Sequence, residues 1–207
     1  VPINFEKDNL SEVLLKKIGL RARSRDLKKW TKMVLDIRSA SKSIKIGIVG
    51  KYFSTGNFVL TDSYISVLEA IKHAAAFLKL KPEIHWLDAE SLNLRNLKKY
   101  DGIIVPGGFG ERGVEGKISV ARYCRENKVP YFGLCYGMQI AVVEFARNVL
   151  GLKGAHTTEI DGKSPYPVID IMPDQKKNLS LKNYGATMRL GAYPAVLKKN
   201  TIAYTAY

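Results

Sequence analysis

From residue 43 onward the apolar positions switch repeatedly between strand spacing and helix spacing. Residues 43–50 (SIKIGIVG) are a short, nearly continuous apolar run ending in glycine, which predicts a buried strand. Residues 62–80 place Ile65, Leu68, Ile71, Ala75 and Leu78 on one helical face, with Pro82 just beyond. Residues 83–89 (EIHWLDA) and 100–108 (YDGIIVPGG) read as the second and third strands. Residues 114–127 (VEGKISVARYCREN) read as a helix, 129–134 (VPYFGL) as a fourth strand, and 136–152 as a helix closed by Gly151. Farther on, 166–172 (YPVIDIM) and 186–197 (ATMRLGAYPAVL) predict strands joined by a polar loop rich in Lys and Asn. Strands joined through helices imply a largely parallel sheet with right-handed crossovers, covered on both faces. The expected class is therefore α/β, a three-layer open and mostly parallel sheet of flavodoxin or Rossmann type.

Residues 1–43 follow a different pattern. Residues 11–20 and 24–37 each predict a short amphipathic helix, with Ser11 and Ser24 as N-caps. Val13, Leu14 and Ile18 form one stripe, and Leu27, Trp30, Val34 and Ile37 the next. Residues 38–43 (RSASKS) read as a linker. No repeat or low-complexity tract interrupts the 207 residues.

Composition narrows the picture. Hydrophobic residues are 46% and charged residues 25%, enough for a sizeable core and too ordinary for disorder. No apolar run approaches the roughly 20 residues of a membrane-spanning helix. Two cysteines, Cys124 and Cys135, make no disulfide scaffold and favour a reducing, cytoplasmic setting. The N-terminal stretch VPINFEKDNL lacks Met and any signal pattern, so it reads as cut from a longer chain. The net charge of +14 suits an anion-facing surface or a merely solvated basic one. Much of the excess lies in the first 45 residues without interleaved base-stacking aromatics, which argues against a nucleic-acid partner.

In an open parallel sheet, sites lie beyond the carboxyl ends of the strands. Three features fall there: residues 50–56 (GKYFSTG), residues 106–113 (PGGFGERG) and Cys135. The first resembles a phosphate loop, but it lacks the four-residue spacer before Gly-Lys and has Tyr52 where magnesium needs Ser or Thr. Cys135 follows a strand and precedes a helix, the layout of a nucleophile elbow. Gly133 and Gly137 are the small neighbours that such a turn needs. The start of a helix also favours thiolate over thiol. The plain alternative is a core thiol, since cysteine is among the most buried residue types; Cys124, inside a helix pattern, keeps that reading. The N–H of Tyr136 is placed to bind an oxyanion, and Gly108 in the glycine-dense loop offers a second donor. Phe109 and Arg112 make that loop a candidate phosphate contact, and Arg189 a candidate anion contact. Glu159 could grip a substrate ammonium or be a solvated loop acid. His73, His85 and His156 are none of them well placed by chain order to serve Cys135 as a base.

These motifs resemble the glutaminase domain of the CTP synthases, a branch of the class I glutamine amidotransferases. PGGFGERGVEG, the stretch 121–151 around GLCYGMQ, HTTEI and GATMRLGAYP carry the resemblance, with IGIVGKY and DSYISVLEAIKHA as the domain's opening strand and helix. It runs from about residue 44 to the end, and residues 1–43 look like the last strand of the synthetase domain and a helical interdomain linker. The resemblance implies that Cys135 attacks the side-chain amide carbon of L-glutamine and forms a thioester. It assigns the oxyanion to the N–H groups of Gly108 and Tyr136, and the substrate site to Tyr136, Gly137, Met138, Gln139 and Glu159. The ammonia would aminate UTP to CTP with ATP and magnesium, bound in a synthetase domain of the same chain. GTP would activate, with Phe109 and Arg112 as candidates for its site, and the full-length protein would be a homo-oligomer. The family has Leu where this chain has Tyr136, and only the backbone there is needed for the oxyanion. Residues 54–64 are longer than the family's usual turn. The family's His-x-Glu pair and the arginine of RHRHRYE are not present, so the expectation is a C-terminally truncated domain of little activity alone. The competing readings are the glutaminase of another amidotransferase and a non-catalytic cysteine-elbow sensor or chaperone-like domain.

Overall fold

A computed structural model of the chain describes residues 1–50, 54–55, 58–59, 64–108, 110–181, 192 and 194–207, with the backbone alone at 54–55, 58–59, 174 and 179. It contains two compact units, Val1–Ile169 and Asp170–Tyr207.

The first unit begins with helices α1 (Pro2–Lys7), α2 (Leu10–Lys17) and α3 (Lys28–Ser39). A strand was the expectation for the first residues; Pro2, acceptable in a first helical turn, opens a helix instead. Neither predicted serine cap is used. Asn9 precedes α2, and Leu27 precedes α3, where Asp26 accepts from the Lys28 N–H at 2.9 Å. The stripe on α2 stays exposed, because no residue of that helix is buried. Arg25 gathers this segment by pairing with Glu6, Glu12 and Asn9.

The sheet follows. β1 (Ser43–Gly50) is followed by a hairpin of β2 (Ser54–Thr55) and β3 (Phe58–Val59), then α4 (Ile65–Phe77), β4 (Lys81–Asp88), a short 3-10 turn (Leu94–Lys99) and β5 (Gly102–Val105). α5 (Val114–Glu126), β6 (Tyr131–Gly133) and α6 (Tyr136–Asn148) complete the alternation. Four strands form the sheet in the order β4-β1-β5-β6, all parallel. The register sets Ile48 opposite Trp86 and Ile104, and Val105 opposite Gly133.

Because side chains alternate across a strand, the sheet has two apolar faces. Ile46, Ile48, Ile84, Trp86 and Ile104 pack with Tyr64, just before α4, and with Leu68 and Ile71 of α4. Val49, Leu87, Ile103 and Val105 face the other way, towards Val120 and Cys124 of α5. Three layers result, as expected. The predicted inner face of α4 holds for Leu68, Ile71 and Ala75, while Ile65 and Leu78, at its two ends, are exposed. A third cluster joins α5 and α6 through Val114, Ile118, Tyr136, Ile140 and Val143. Ile160 and Val168 pack on it from beside β7 (His156–Thr157) and from β8 (Pro167–Ile169), a parallel pair.

In the second unit, residues 173–180, expected as a polar loop, form helix α7 (Pro173–Ser180), opened by proline at its first position. α8 (Ile202–Ala206) follows near the end, with the Thr201 side chain accepting from the Tyr204 N–H. Most of the strand predicted over 186–197 lies outside the described residues, as does Arg189. No helix among the described residues is long and apolar enough to cross a membrane.

Candidate functional site

The turn between β6 and α6 has the expected elbow geometry. Cys135 adopts φ 52° and ψ −111°, a conformation that costs a non-glycine residue about 1–3 kcal/mol and that gathers at functional sites. Its thiol is exposed. Both flanking glycines are steric requirements. A Cβ on Gly133 would lie 2.5 Å from the carbonyl carbon of Gly137, and one on Gly137 would lie 1.9 Å from the carbonyl oxygen of Val105. The Leu134 N–H donates to that same Val105 oxygen at 2.9 Å, so the end of β5 fixes the elbow from below. The Tyr131 hydroxyl donates to the Gly137 carbonyl at 2.7 Å and ties the first turn of α6 to the start of β6.

The glycine loop after β5 closes on the thiol. A Cβ on Gly107 would stand 3.4 Å from the Cys135 Cβ and 3.7 Å from its Sγ. The N–H groups of Gly108 and Tyr136 have no hydrogen-bond partner among the described residues. Two free donors beside a displayed nucleophile are what a developing oxyanion needs. Phe109 lies outside the described residues. Arg112, in the same loop, is exposed and held by a bidentate pair with Glu90, Nε–Oε1 2.9 Å and Nη2–Oε2 2.8 Å.

The other candidates divide by burial. Gly137 is buried, Gln139 is half-buried, and Met138 is exposed on the first turn of α6. Glu159 stands exposed on the turn after β7. Cys124, 1% exposed, is a core thiol whose ionisation burial pushes up to about 12, so it keeps its structural role. His73 is exposed on α4, the layer opposite α5. It lines a groove of about 700 Å³ against α3, with Met33, Ile37 and Phe77. His85 lies on β4 and stacks edge-on to Tyr100, with β1 and β5 between its strand and β6. At about 4.8 Å per strand that is some 14 Å from the elbow strand. His156 is buried, its Nδ1 accepts from the Thr157 N–H at 2.8 Å, and burial and then Arg147 hold its pKa below the usual value. None of the three histidines shares a hydrogen bond with Cys135 among the described residues. Among the described residues no group of His, Cys, Asp and Glu could hold a metal ion.

Several supporting residues carry no signal in the sequence. Lys117, buried on α5, sets its Nζ 5.5 Å from the ring centre of Tyr136. Arg147 of α6 donates to the Ala155 carbonyl at 2.7 Å and pairs with Glu115 at 2.9 Å, fixing the chain just before β7. The Tyr136 side chain is itself buried rather than idle, which the backbone role alone does not foretell.

The chain is similar to known proteins. The family model for class I glutamine amidotransferases matches residues 59–205. The CTP synthase of Pyrococcus abyssi is 51% identical over 210 residues, spanning all of this chain and 38% of the relative. The CTP synthase of Bacillus velezensis is 45% identical over 211 residues with the same shares. The chain therefore spans about 38% of the length of the curated relatives it matches. Among solved structures, the Trypanosoma brucei CTPS glutaminase domain with bound acivicin superposes with a TM-score of 0.58 at 39% identity, over 64% of this chain and 51% of that one.

Proposed function

This chain belongs to the class I glutamine amidotransferases, and we propose that it is the glutaminase part of a CTP synthase, releasing ammonia from L-glutamine to aminate UTP. The observation that carries the proposal is the exposed Cys135 at φ 52° with the Gly107 backbone against its sulfur. In this reading the Cys135 thiolate attacks the side-chain amide carbon. The N–H groups of Gly108 and Tyr136 hold the oxyanion, and ammonia leaves as the thioester forms. Water then cleaves the thioester to glutamate and returns the thiol. Removing one such donor costs about 10²–10³ in rate. Gly137, Met138 and Gln139 line the substrate, and Glu159 receives its α-ammonium. The base is a group other than the three histidines here, which supports the expectation that these residues alone hydrolyse glutamine slowly.

The remaining partners follow from the same reading. Residues 1–43 link to a synthetase domain of the same chain that binds UTP, ATP and magnesium, and no residue here is assigned to those ligands. Arg112, with Phe109, is the candidate contact for GTP as an activator, whose phosphates would compete with Glu90. The whole protein is a cytoplasmic homo-oligomer.

A chloroketone analogue of L-glutamine tests the core of this. The Cys135 sulfur displaces chloride and forms a thioether, found by peptide mapping. Labelling of Cys135 that L-glutamine suppresses is expected. Label on Cys124, or no protection by glutamine, would refute the assignment. Steady-state ammonia release by the 207 residues at the rate of a complete synthase would refute the external base.

A further inference from the structure

The backbone N–H of Tyr136 stands apart from its neighbours in the first turn of α6. The N–H of Gly137 donates to the Leu134 carbonyl, and those of Met138 and Gln139 donate to the Cys135 carbonyl. The Tyr136 N–H has no such partner among the described residues. It belongs to the peptide that joins Cys135 to Tyr136, and that peptide has few anchors. The Cys135 side chain is exposed, and Gly137 has none. The Tyr136 ring, 2% exposed, is therefore the side chain that ties this peptide to the core.

Two features grip the ring. One is the apolar cluster of Val114, Ile118, Ile140 and Val143. The other is Lys117, whose Nζ lies over the ring, 5.5 Å from its centre. That is inside the roughly 6 Å over which an aromatic face attracts a cation, and the attraction is larger where water is excluded. Lys117 is itself only 1% exposed, and a lysine is almost never so buried without a partner for its charge. The apolar cluster already joins α5 to α6, so the helix contact does not call for an ammonium. α5 also sets the depth of Lys117. Its first turn is seated so closely on the chain after β4 that a Cβ on Gly116 would lie 1.8 Å from the Ala89 carbonyl oxygen.

We propose that Lys117 is a positioning residue for the oxyanion site: its buried ammonium holds the Tyr136 ring and so aims the Cys135–Tyr136 N–H at the developing oxyanion. The inference rests on the glutaminase reading. It gives a use to an aromatic ring at a position where leucine would fill the cluster but offer no face to a cation.

The test compares two reagents for Cys135 on the 207-residue protein. With the chloroketone analogue of L-glutamine, the ketone oxygen takes the place of the amide oxygen against the N–H groups of Gly108 and Tyr136 while the sulfur displaces chloride. Methyl methanethiosulfonate converts the thiol to a methyl disulfide with loss of methanesulfinate, and it has no carbonyl to be held. The ratio of the two rates therefore cancels any change in exposure or ionisation of the thiol. Losing an oxyanion donor outright costs about 10²–10³ in rate, and one left in place but mis-aimed costs less, so Lys117→Met should lower the ratio about tenfold. The loss should fall in the maximal chloroketone rate and not in the half-saturating concentration. Lys117→Arg should restore most of it, because a guanidinium also binds an aromatic face. An unchanged ratio in Lys117→Met overturns the inference and leaves the glutaminase reading standing. So does a loss confined to the half-saturating concentration, or a Lys117→Arg protein as slow as Lys117→Met. Tyr136→Leu, which keeps the lysine and the N–H but removes the ring, should lower the ratio by a similar factor. A wild-type ratio in that variant overturns the inference even if Lys117→Met fails to fold. Chloroketone labelling of the wild type that L-glutamine does not suppress removes the glutaminase reading itself.

Discussion

Gly137→Ala should disable the thiol without touching it. The added Cβ would stand 1.9 Å from the Val105 carbonyl oxygen, where ordinary contact begins at 3.4 Å, a shortfall of about 1.5 Å. Neither side can give way cheaply. Val105 is a buried residue of β5 whose carbonyl also accepts from Leu134, and the Gly137 carbonyl is held by Tyr131. The first turn of α6 must therefore lift off the sheet and carry Cys135 and the Tyr136 N–H with it. A misplacement of about 1 Å in a reacting group can cost about 100-fold, so labelling of Cys135 by the glutamine chloroketone should slow by about that factor. The overpacking should also cost about 1–3 kcal/mol of stability, read as a lower urea midpoint. Gly151→Ala is the control. Gly151 has φ 72° with nothing within 4 Å of its virtual Cβ, so the change costs about 1–2 kcal/mol of backbone strain and leaves labelling intact. Both variants should be assayed where melting curves show them folded. A folded Gly137→Ala protein labelled at the wild-type rate would refute the steric account of the elbow.

Two further outcomes test the scaffold. Arg125→Met should lower the urea midpoint well beyond Arg122→Met, because Arg125 is the bidentate partner of the buried Glu144 whereas Arg122 pairs with exposed Glu126; equal midpoints would count against the α5–α6 ion pair. His156, buried with a lowered folded pKa, contributes stability that is present above its unfolded value of about 6.5 and is lost as the pH falls below it. The melting temperature should therefore drop between pH 7 and pH 5, and His156→Asn should flatten that part of the profile.

What the sequence makes legible depends on how local the physical cause is. β1, α5, β6 and α6 were readable because burial imposes a period of 2 or 3.6 on consecutive residues. The elbow was readable because its constraints fall on Gly133 and Gly137, two residues either side of Cys135. Helix α7 was not, since DQKKNLS has good helix formers but little apolar periodicity, and Pro173 marks a helix start only when the helix is already suspected. The serine caps misled because the helices begin elsewhere: α2 opens at Leu10, before Ser11, and α3 at Lys28, four residues past Ser24, with Asp26 accepting from the Lys28 N–H. Ile65 and Leu78 misled because a periodic stripe does not say where the layer beneath a helix stops.

The polar residues that support the elbow form a separate class. Arg125 and Glu144 are 19 positions apart, and Arg147 and Glu115 are 32 apart. Each pair exists only because α5 and α6 lie side by side, so no spacing rule can announce it. Tyr136 is the sharpest instance. Its backbone N–H was placed by its position after the nucleophile, and any residue there would supply it. The side chain finds its surroundings only when α5, α6 and the turn after β7 converge, which sets Ile160 on the cluster that holds a ring 24 positions earlier in the chain. The chemistry of this site is therefore written locally in Cys135 and its glycines. What holds the elbow turn in place depends on contacts that only the assembled layers create.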